Sequence, residues 1–577
     1  MWAPSAPMDR PATLSHLTIA VAGVSWRNPT TNEFMVVTNL DSIGGLRHLK
    51  SLTIVGCDKV AALPDSLGDL TQLRELHLSY LHKMAALPSS LGRLTALEHL
   101  SLEHCGDLRA LPESIGNLAQ LQTLLLDDVP MVALPLSMGQ LKSLQSLTLN
   151  CLDKLEAFPE SLGDLTQLAM LDVRLCGNST TIFTVGWPSA LLTLRWRHMR
   201  CSTVFSGADF SCLETLEIEK RFESPLLDWI GELTALKTLR LLLPELHALP
   251  DSVGNLRQLR TLELSSHLLN ALPDALGNLH QLQTLVLSCG ALTAWPEFIS
   301  KLDQLQELRV SFMSREYAVV SHIALPDSLG ELRRLRTLKL ENYGTLAFPE
   351  SIRNWTMMQT MDVCALAITL PSTIGQLTTL KSLTLFSCGA KLPDEFVSGA
   401  TQHVLDANDA SWTTIPEFVC QLAGLRSLAI HGSFVTTLPE SIGQLSSLEQ
   451  LTVGGLASLT AVPDSIGKLT TLRKLNLSFN DGLRQLPDSI ERMEALNDVS
   501  LQYCKSLTSL PNFPPSLRHL DLSRCYSLRE LPSTLELLRS LSLVLCRSLS
   551  TIPSLPLVDD IPRGNSDDES DISYQSE

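Results

Sequence analysis

The sequence predicts an α/β solenoid of about 23 short coils, each closed by its neighbours instead of by a common globular core. Two observations carry this. The phrase Leu-Pro-x-Ser-Leu/Ile-Gly-x-Leu-x-x-Leu-x-x-Leu-x-Leu returns about every 21 to 24 residues over most of the 577-residue chain. It reads Leu63-Pro64-Asp65-Ser66-Leu67-Gly68, then Leu87-Pro88-Ser89-Ser90-Leu91-Gly92, then Leu111-Pro112-Glu113-Ser114-Ile115-Gly116, and recurs near Pro439, Pro463 and Pro487. Hydrophobic residues make up 44% of the chain but aromatics only 5%, so leucine fills most apolar slots, as suits a core made by stacking one aliphatic position on its copy in the next coil.

In chain order, residues 1–13 contain three prolines and no apolar run, which predicts a disordered segment and excludes a secretory signal. The solenoid is expected over residues 14–556. Strands are placed on the Leu-x-Leu pairs, from Leu17 and Leu52 through Leu383, Leu405 and Leu428 to Leu541. Strand side chains alternate, so the first leucine and the residue two places later point inward and their neighbours outward. A parallel ladder of these strands is expected to line a concave face. Its inner edge, at a strand spacing of about 4.8 Å, would be on the order of 100 Å long.

The Pro-x-Ser-Ile-Gly segment is assigned to the convex side as a short helical or 3-10 turn. Proline is expected at its first residue, where a missing N–H costs nothing. Glycine is expected to end the turn in a conformation that a Cβ would penalise. The next Leu-x-x-Leu puts two leucines on one face. The rhythm breaks at 177–231, although Leu192–Trp196 and Leu213–Ile218 keep strand character, and at 311–323, where about seven residues are extra. A bulge is expected at each place and no separate domain. The Asp- and Ser-rich stretch 557–577 predicts an acidic disordered tail.

Net charge is −17, and Asp559, Asp560, Asp567, Asp568, Glu569, Asp571 and Glu577 against Arg563 supply a sizeable part. That balance argues against nucleic acid or an anionic membrane as principal partner. No stretch approaches 18 uninterrupted apolar residues, so no membrane insertion is expected. Three sequons, at Asn178, Asn354 and Asn476, would matter only in a secreted chain. The expectation is a cytoplasmic monomer.

Of the 13 cysteines, seven (Cys57, Cys105, Cys176, Cys388, Cys504, Cys525 and Cys546) fall three places after the second strand leucine or its equivalent, where Asn480 stands in its own coil. That slot turns inward where the strand ends and must satisfy neighbouring backbone groups, which Asn does with an amide and Cys with a weak thiol donor. No Cys-x-x-Cys pair exists, so neither zinc nor any other cofactor is implied. Two Cys-x-Asp strings, Cys105-Gly106-Asp107 and Cys151-Leu152-Asp153, match the thioester motif of certain bacterial ubiquitin ligases. Both lie inside repeats, with no helical domain after Pro556 to hold a nucleophile. Walker, HExxH, Gly-x-Ser-x-Gly and kinase signatures are absent, and the expected protein is not an enzyme.

The outward strand positions are the candidate binding surface. Many are threonines (Thr123, Thr193, Thr215, Thr238, Thr261, Thr284, Thr337, Thr360), read as β-propensity and a mild polar floor. The most distinctive group is Asp172, Arg174, Arg195, Arg197, Glu217 and Glu219, outward on three successive strands with Trp196 pointing in. Neighbouring strands set Arg195 near Glu217 and Arg197 near Glu219, which is either a self-neutralising ladder or an anchor for a partner. Exchanging both arginines for Glu is expected to weaken capture and to leave thermal stability nearly unchanged. His431, Lys474, Asn476, His519 and Asp521 are further candidates of this kind.

These repeats resemble the leucine-rich repeat superfamily, a horseshoe solenoid, over about residues 14–556. The Leu522-Ser-Arg-Cys525-Tyr-Ser-Leu528-Arg-Glu-Leu-Pro532 form is similar to the repeats of plant intracellular immune receptors. The Leu-Pro-x-Ser-Ile-Gly form also resembles Ras-group-related repeat proteins and the leucine-rich effectors that plant-pathogenic bacteria inject into hosts. A nucleotide-binding domain and the Gly-x-Ile-Pro form of secreted plant receptors are missing, and the ladder slot favours Cys where the Ras-group proteins favour Asn. The resemblance implies a scaffold that binds a partner protein on its concave face, as an effector or a signalling or immune module. The alternative is the substrate-recognition part of a ubiquitin ligase or a fragment of a larger receptor.

Overall fold

Among the described residues most coils are one strand, one inward turn and one 3-10 turn, repeated in register, while the coils beyond Arg492 have no 3-10 turn. A computed structural model describes residues 15–20, 25–27, 34–35, 40, 43–56, 60–156, 158–176, 187–197, 210–219, 228–292, 294–312, 323–342, 344–365, 367–387, 414–432, 435–456, 458–535 and 537–550. The expected disordered segment 1–13, the acidic tail, residues 177–186, 198–209 and 220–227 of the first expected bulge and 313–322 of the second lie outside them, whereas Thr193–Arg197 and Thr215–Glu219 join the ladder. Two compact units divide the chain, Met1–Leu268 and Leu269–Glu577.

In the first unit a parallel ladder runs from His16–Ala20 through Ser51–Val55, Glu75–Ser79, His99–Glu103 and Thr123–Asp127 to Thr261–Ser266. Equivalent leucines face each other throughout, as in Leu76 with Leu100 and Leu124 with Leu147. The edge strand His16–Ala20 is covered on its outer side by Ser25–Arg27 running antiparallel, which occupies backbone groups that would otherwise template another chain. The typical burial pattern is half-exposed, buried, half-exposed, buried, half-exposed, the alternation the Leu-x-Leu spacing predicts.

The second unit carries the same ladder from Thr284–Cys289 to Ser540–Ser542, with strands shortening to three residues from Lys474–Asn476 onward. Three short strands, Ile323–Ala324, Thr345–Ala347 and Ala367–Thr369, add a second parallel sheet just before their Leu-Pro or Phe-Pro turns. One expectation is corrected here. Ser382–Ser387 pairs directly with Ser427–Gly432, Leu383 opposite Leu428. A strand on Leu405, which lies outside the described residues, has no place between them.

The turns correct two more expectations. Proline precedes the 3-10 turn as its N-cap in extended conformation (Pro88 φ −67, ψ 146). Its carbonyl accepts the N–H of Leu91 at 3.0 Å, and its fixed φ suits that cap as it would the first helical residue. The glycine is required by close approach, not by its own backbone angles. A Cβ on Gly116 would lie 2.7 Å from the Ser137 carbonyl oxygen and 2.9 Å from the Ser137 Cβ of the next coil. Glycine against serine is therefore the contact that lets successive turns stack.

At the slot after each strand, Asn480 donates to the carbonyls of Val453 and Leu477, both at 2.8 Å, and accepts the N–H of Leu456 at 3.0 Å. The cysteines occupy the same place with a single weaker donor. Cys504 donates to Leu477 at 3.1 Å, Cys525 to Leu501 at 3.1 Å and Cys546 to Leu522 at 3.0 Å. Cys57 and Cys388 lie outside the described residues.

Candidate protein-binding surface

The outward side chains of the strands form rows, because parallel pairing in register puts equivalent positions side by side. In the first unit the middle row reads Asp172, Arg195, Glu217, Arg240, Glu263 on five successive strands. The signs alternate along it. Sequence reasoning found the first three members and missed Arg240 and Glu263, although the third strand position aligned from coil to coil contains the signal.

The expected pairing is partly corrected. Arg195 does meet Glu217, Nε to Oε2 at 3.4 Å, and also Asp172 at 3.8 Å. Arg197 reaches diagonally across the row to grip Asp172 with one nitrogen at 2.9 and 2.7 Å from its two oxygens. Its hydrogen bond to Asp172 raises the guanidinium above its usual pKa, with Glu217 and Glu219 contributing at longer range. Arg240 binds Glu263 at 2.7 Å.

Asp172 and Glu217 are buried on a face where neighbours are half-exposed, at 6% and 8%. Beneath them the leucine core gives way to aromatic rings. Trp196, 1% exposed, packs at 5.9 Å from Phe158 and 6.0 Å from Trp187, and Trp187 at 5.5 Å from Phe210. This argues against the expectation that Arg195 and Arg197 could become Glu without loss of stability, since the change would set new carboxylates against two buried ones. Asp172→Ala is expected to cost about 2 kcal/mol by leaving two guanidinium groups without their shared anion. The loss should persist at high salt because the pair is sheltered. Thermal melts at 0.15 M and 1 M salt check it, and an unchanged melting temperature would contradict the buried-pair account.

Arg174 and Glu219 complete the group. Arg174 is exposed and makes no ion pair among the described residues. Glu219 is half-exposed at the end of Thr215–Glu219.

In the second unit the candidates separate. His431 stacks beside Phe386 at 5.6 Å, and burial lowers its pKa. Lys474, Asp498 and His519 are neighbours in one row. Asn476 and Asp521 each spend an oxygen on the chain two residues on, accepting the N–H of Ser478 and of Ser523 at 2.9 Å. Those two groups shape the strand exit. The middle row also holds Arg309, Lys339 and Asp362 side by side, and burial raises the Asp362 carboxyl.

A second feature escaped sequence reasoning. A residue one to three places past the strand adopts positive φ in many coils, including Tyr80 (54), His104 (51), Phe479 (61), Tyr503 (59) and Arg524 (63). Each gives its N–H to a carbonyl of the next coil, as Tyr80 to Glu103 at 2.9 Å and Tyr503 to Ser523 at 2.8 Å, which holds a conformation that L-residues seldom adopt. The side chains consequently stack from coil to coil. Tyr80 lies on His104 at 4.5 Å, Phe479 on Tyr503 at 4.7 Å, and Arg524 over Tyr503 at 4.7 Å. Single residues gave no hint of this, because the stack exists only once the coil spacing is known.

The two Cys-x-Asp strings lack the setting of a nucleophile. Cys105 is fully buried, donates to carbonyl oxygens, and burial pushes its thiol up to about 11. Cys151 is also raised, by burial and then by Asp127, Asp128 and Asp153. Thiolate chemistry needs the opposite shift. Among the described residues no helix is long and apolar enough to cross a membrane.

The sequence matches the family described as Leucine-rich repeat region over residues 34–186, 194–324 and 386–552. No curated protein matches it significantly. Similar solved structures include a leucine-rich repeat protein of Leptospira interrogans, 22% identical, covering 82% of this chain and 90% of that one at a TM-score of 0.43. The plant peptide hormone receptor RGFR1 in complex with RGF2 is 22% identical, with 87% and 80% covered and a TM-score of 0.48. The Arabidopsis receptor kinase HAESA, in complex with the peptide hormone IDA and the co-receptor SERK1, is 18% identical, with 95% and 83% covered and a TM-score of 0.42. A ladder of in-register strands, most of them followed by the same 3-10 turn, together with a family match over most of the sequence, makes this chain a member of the leucine-rich repeat family.

Proposed function

We propose that the protein is a non-catalytic scaffold that recognises a partner protein on its strand face. The observation that carries this is the row from Asp172 to Glu263, flanked by exposed Arg174 and half-exposed Glu219. It presents fixed, alternating charge on a rigid backbone, which favours complementarity and register over raw affinity. The stacked Phe479, Tyr503 and Arg524 offer residue types that dominate interface energetics. The family's use as interaction scaffolds supports the reading.

The finer role we favour is an effector or a signalling or immune module acting in a reducing compartment. Cysteines of adjacent coils donate to carbonyls and are unpaired, which suits a cytoplasm. A photo-crosslinking amino acid placed at Arg174 or at Glu219 should capture a partner in extract. The same residue at Glu113 or Glu160, exposed on the 3-10 turns, should not. Equal or better capture from the turns would move the interface off the strand face and refute the proposal.

A further inference from the structure

A cleft of about 930 Å3 follows the edge of the second unit where the chain enters its strands. Its wall carries Arg336, Lys381, Arg426 and Arg473, with Glu449 the one acid among the residues that line it. Its floor is mostly serine, threonine, glycine and alanine, with no aromatic side chain. These wall residues stand at one repeat position, immediately before the strand, and backbone bonds join them coil to coil: Lys381 N–H to Gln359, Arg426 to Lys381, Glu449 to Arg426 and Arg473 to Glu449, all at 2.8 Å. Arg336, Lys381 and Arg473 make no ion pair among the described residues, while Arg426 meets Glu449 at 3.5 Å with both well exposed. Three uncompensated cations and one half-compensated cation thus share one trough on a chain of net charge −17.

We propose that this trough docks an acidic peptide segment in extended conformation. Arg336 and Arg473 are five coils apart, roughly 24 Å at the usual strand spacing of about 4.8 Å, the reach of about seven extended residues at about 3.3 Å each. The small side chains of the floor leave room for a main chain, and the basic wall supplies the charge complementarity. A single-stranded nucleic acid would want aromatic platforms for its bases, and the floor has none. The site is separate from the strand-face row of the first unit, so either can fail without the other.

Fluorescence anisotropy tests it with the full chain and a labelled (Glu-Ser)4 peptide, beside (Lys-Ser)4 and octathymidylate. Saturable binding of the acidic peptide alone is expected, weakened about tenfold or more by Lys381→Glu with Arg473→Glu. Both positions are exposed, and circular dichroism checks that the double variant folds. Glu449→Gln removes the only acid of the wall and should strengthen binding about twofold to threefold, a gain that no folding defect can mimic. No saturable binding by wild type, equal affinity in the double variant, weaker binding by Glu449→Gln, or tighter binding of the oligonucleotide would each overturn the proposal.

Discussion

Exchange of Asn480 for leucine is expected to lower stability by about 4 kcal/mol, more than any other single change in the strand-exit ladder. Asn480 is fully buried, and its amide serves three backbone groups, the Val453 and Leu477 carbonyls and the Leu456 N–H. Leu477 keeps a partner in the Cys504 thiol, so leucine would orphan one carbonyl and one N–H. Each buried orphan costs about 1–3 kcal/mol, whereas a hydrogen bond that is merely exchanged with water costs far less. Asn480→Cys should cost about half as much, because a thiol in this slot donates to one carbonyl in the neighbouring coils but cannot accept the N–H. Urea unfolding orders the two variants, and hydrogen exchange at the Leu456 amide reports the orphan directly. If that amide stays equally protected in both variants, the slot is filled by shape and not by hydrogen bonding.

The strand positions were legible because alternation within a strand is a property of adjacent residues. Leu76, Leu100 and Leu124 face their equivalents as the Leu-x-Leu spacing requires. What failed depended on which coil lies next to which. Leu405 has the right neighbours in sequence, yet the ladder passes from Leu383 to Leu428. A repeat period cannot say whether a divergent copy joins the sheet. The charge row failed in a milder way. Register placed Arg197 opposite Glu219 correctly, but an arginine side chain is longer than one strand spacing, so it turned back to the buried Asp172. The proline and glycine of the turn were recognised as obligatory for the wrong reasons. Proline acts one residue earlier than its helical preference suggests, and the demand on glycine comes from the next coil, not from its own φ. Contacts between coils are invisible until the coil spacing is known, and for the same reason the Phe479, Tyr503 and Arg524 stack went unseen.

The turn contact makes the second large prediction. Gly116→Val should destabilise the protein by about 2–3 kcal/mol, the usual range for forcing atoms into a packed site. Its Cβ would come within 2.7 Å of the Ser137 carbonyl oxygen and of Gln140 Oε1. The glutamine can swing aside, but the carbonyl belongs to the next turn and moves only if two coils part. Some coils do accommodate a side chain in this slot, Ser300, Arg353, Cys420 and Glu491 among them, so the fold yields locally and the cost stays below that of unfolding. Gly45→Ala is the control, because nothing lies within 4 Å of the Cβ it would add; it should be neutral, or stabilising by a few tenths to about 1 kcal/mol through the unfolded chain. In a solenoid each coil is held only by its neighbours, so the damage should spread no further than adjacent coils. Hydrogen exchange in Gly116→Val should therefore show lost protection around Leu102, Leu126 and Leu149 while Leu241 and Leu264 stay protected. Uniform loss across the first unit would mean that it unfolds as one cooperative block, and the view of coil stacking as a chain of separable contacts would have to be given up.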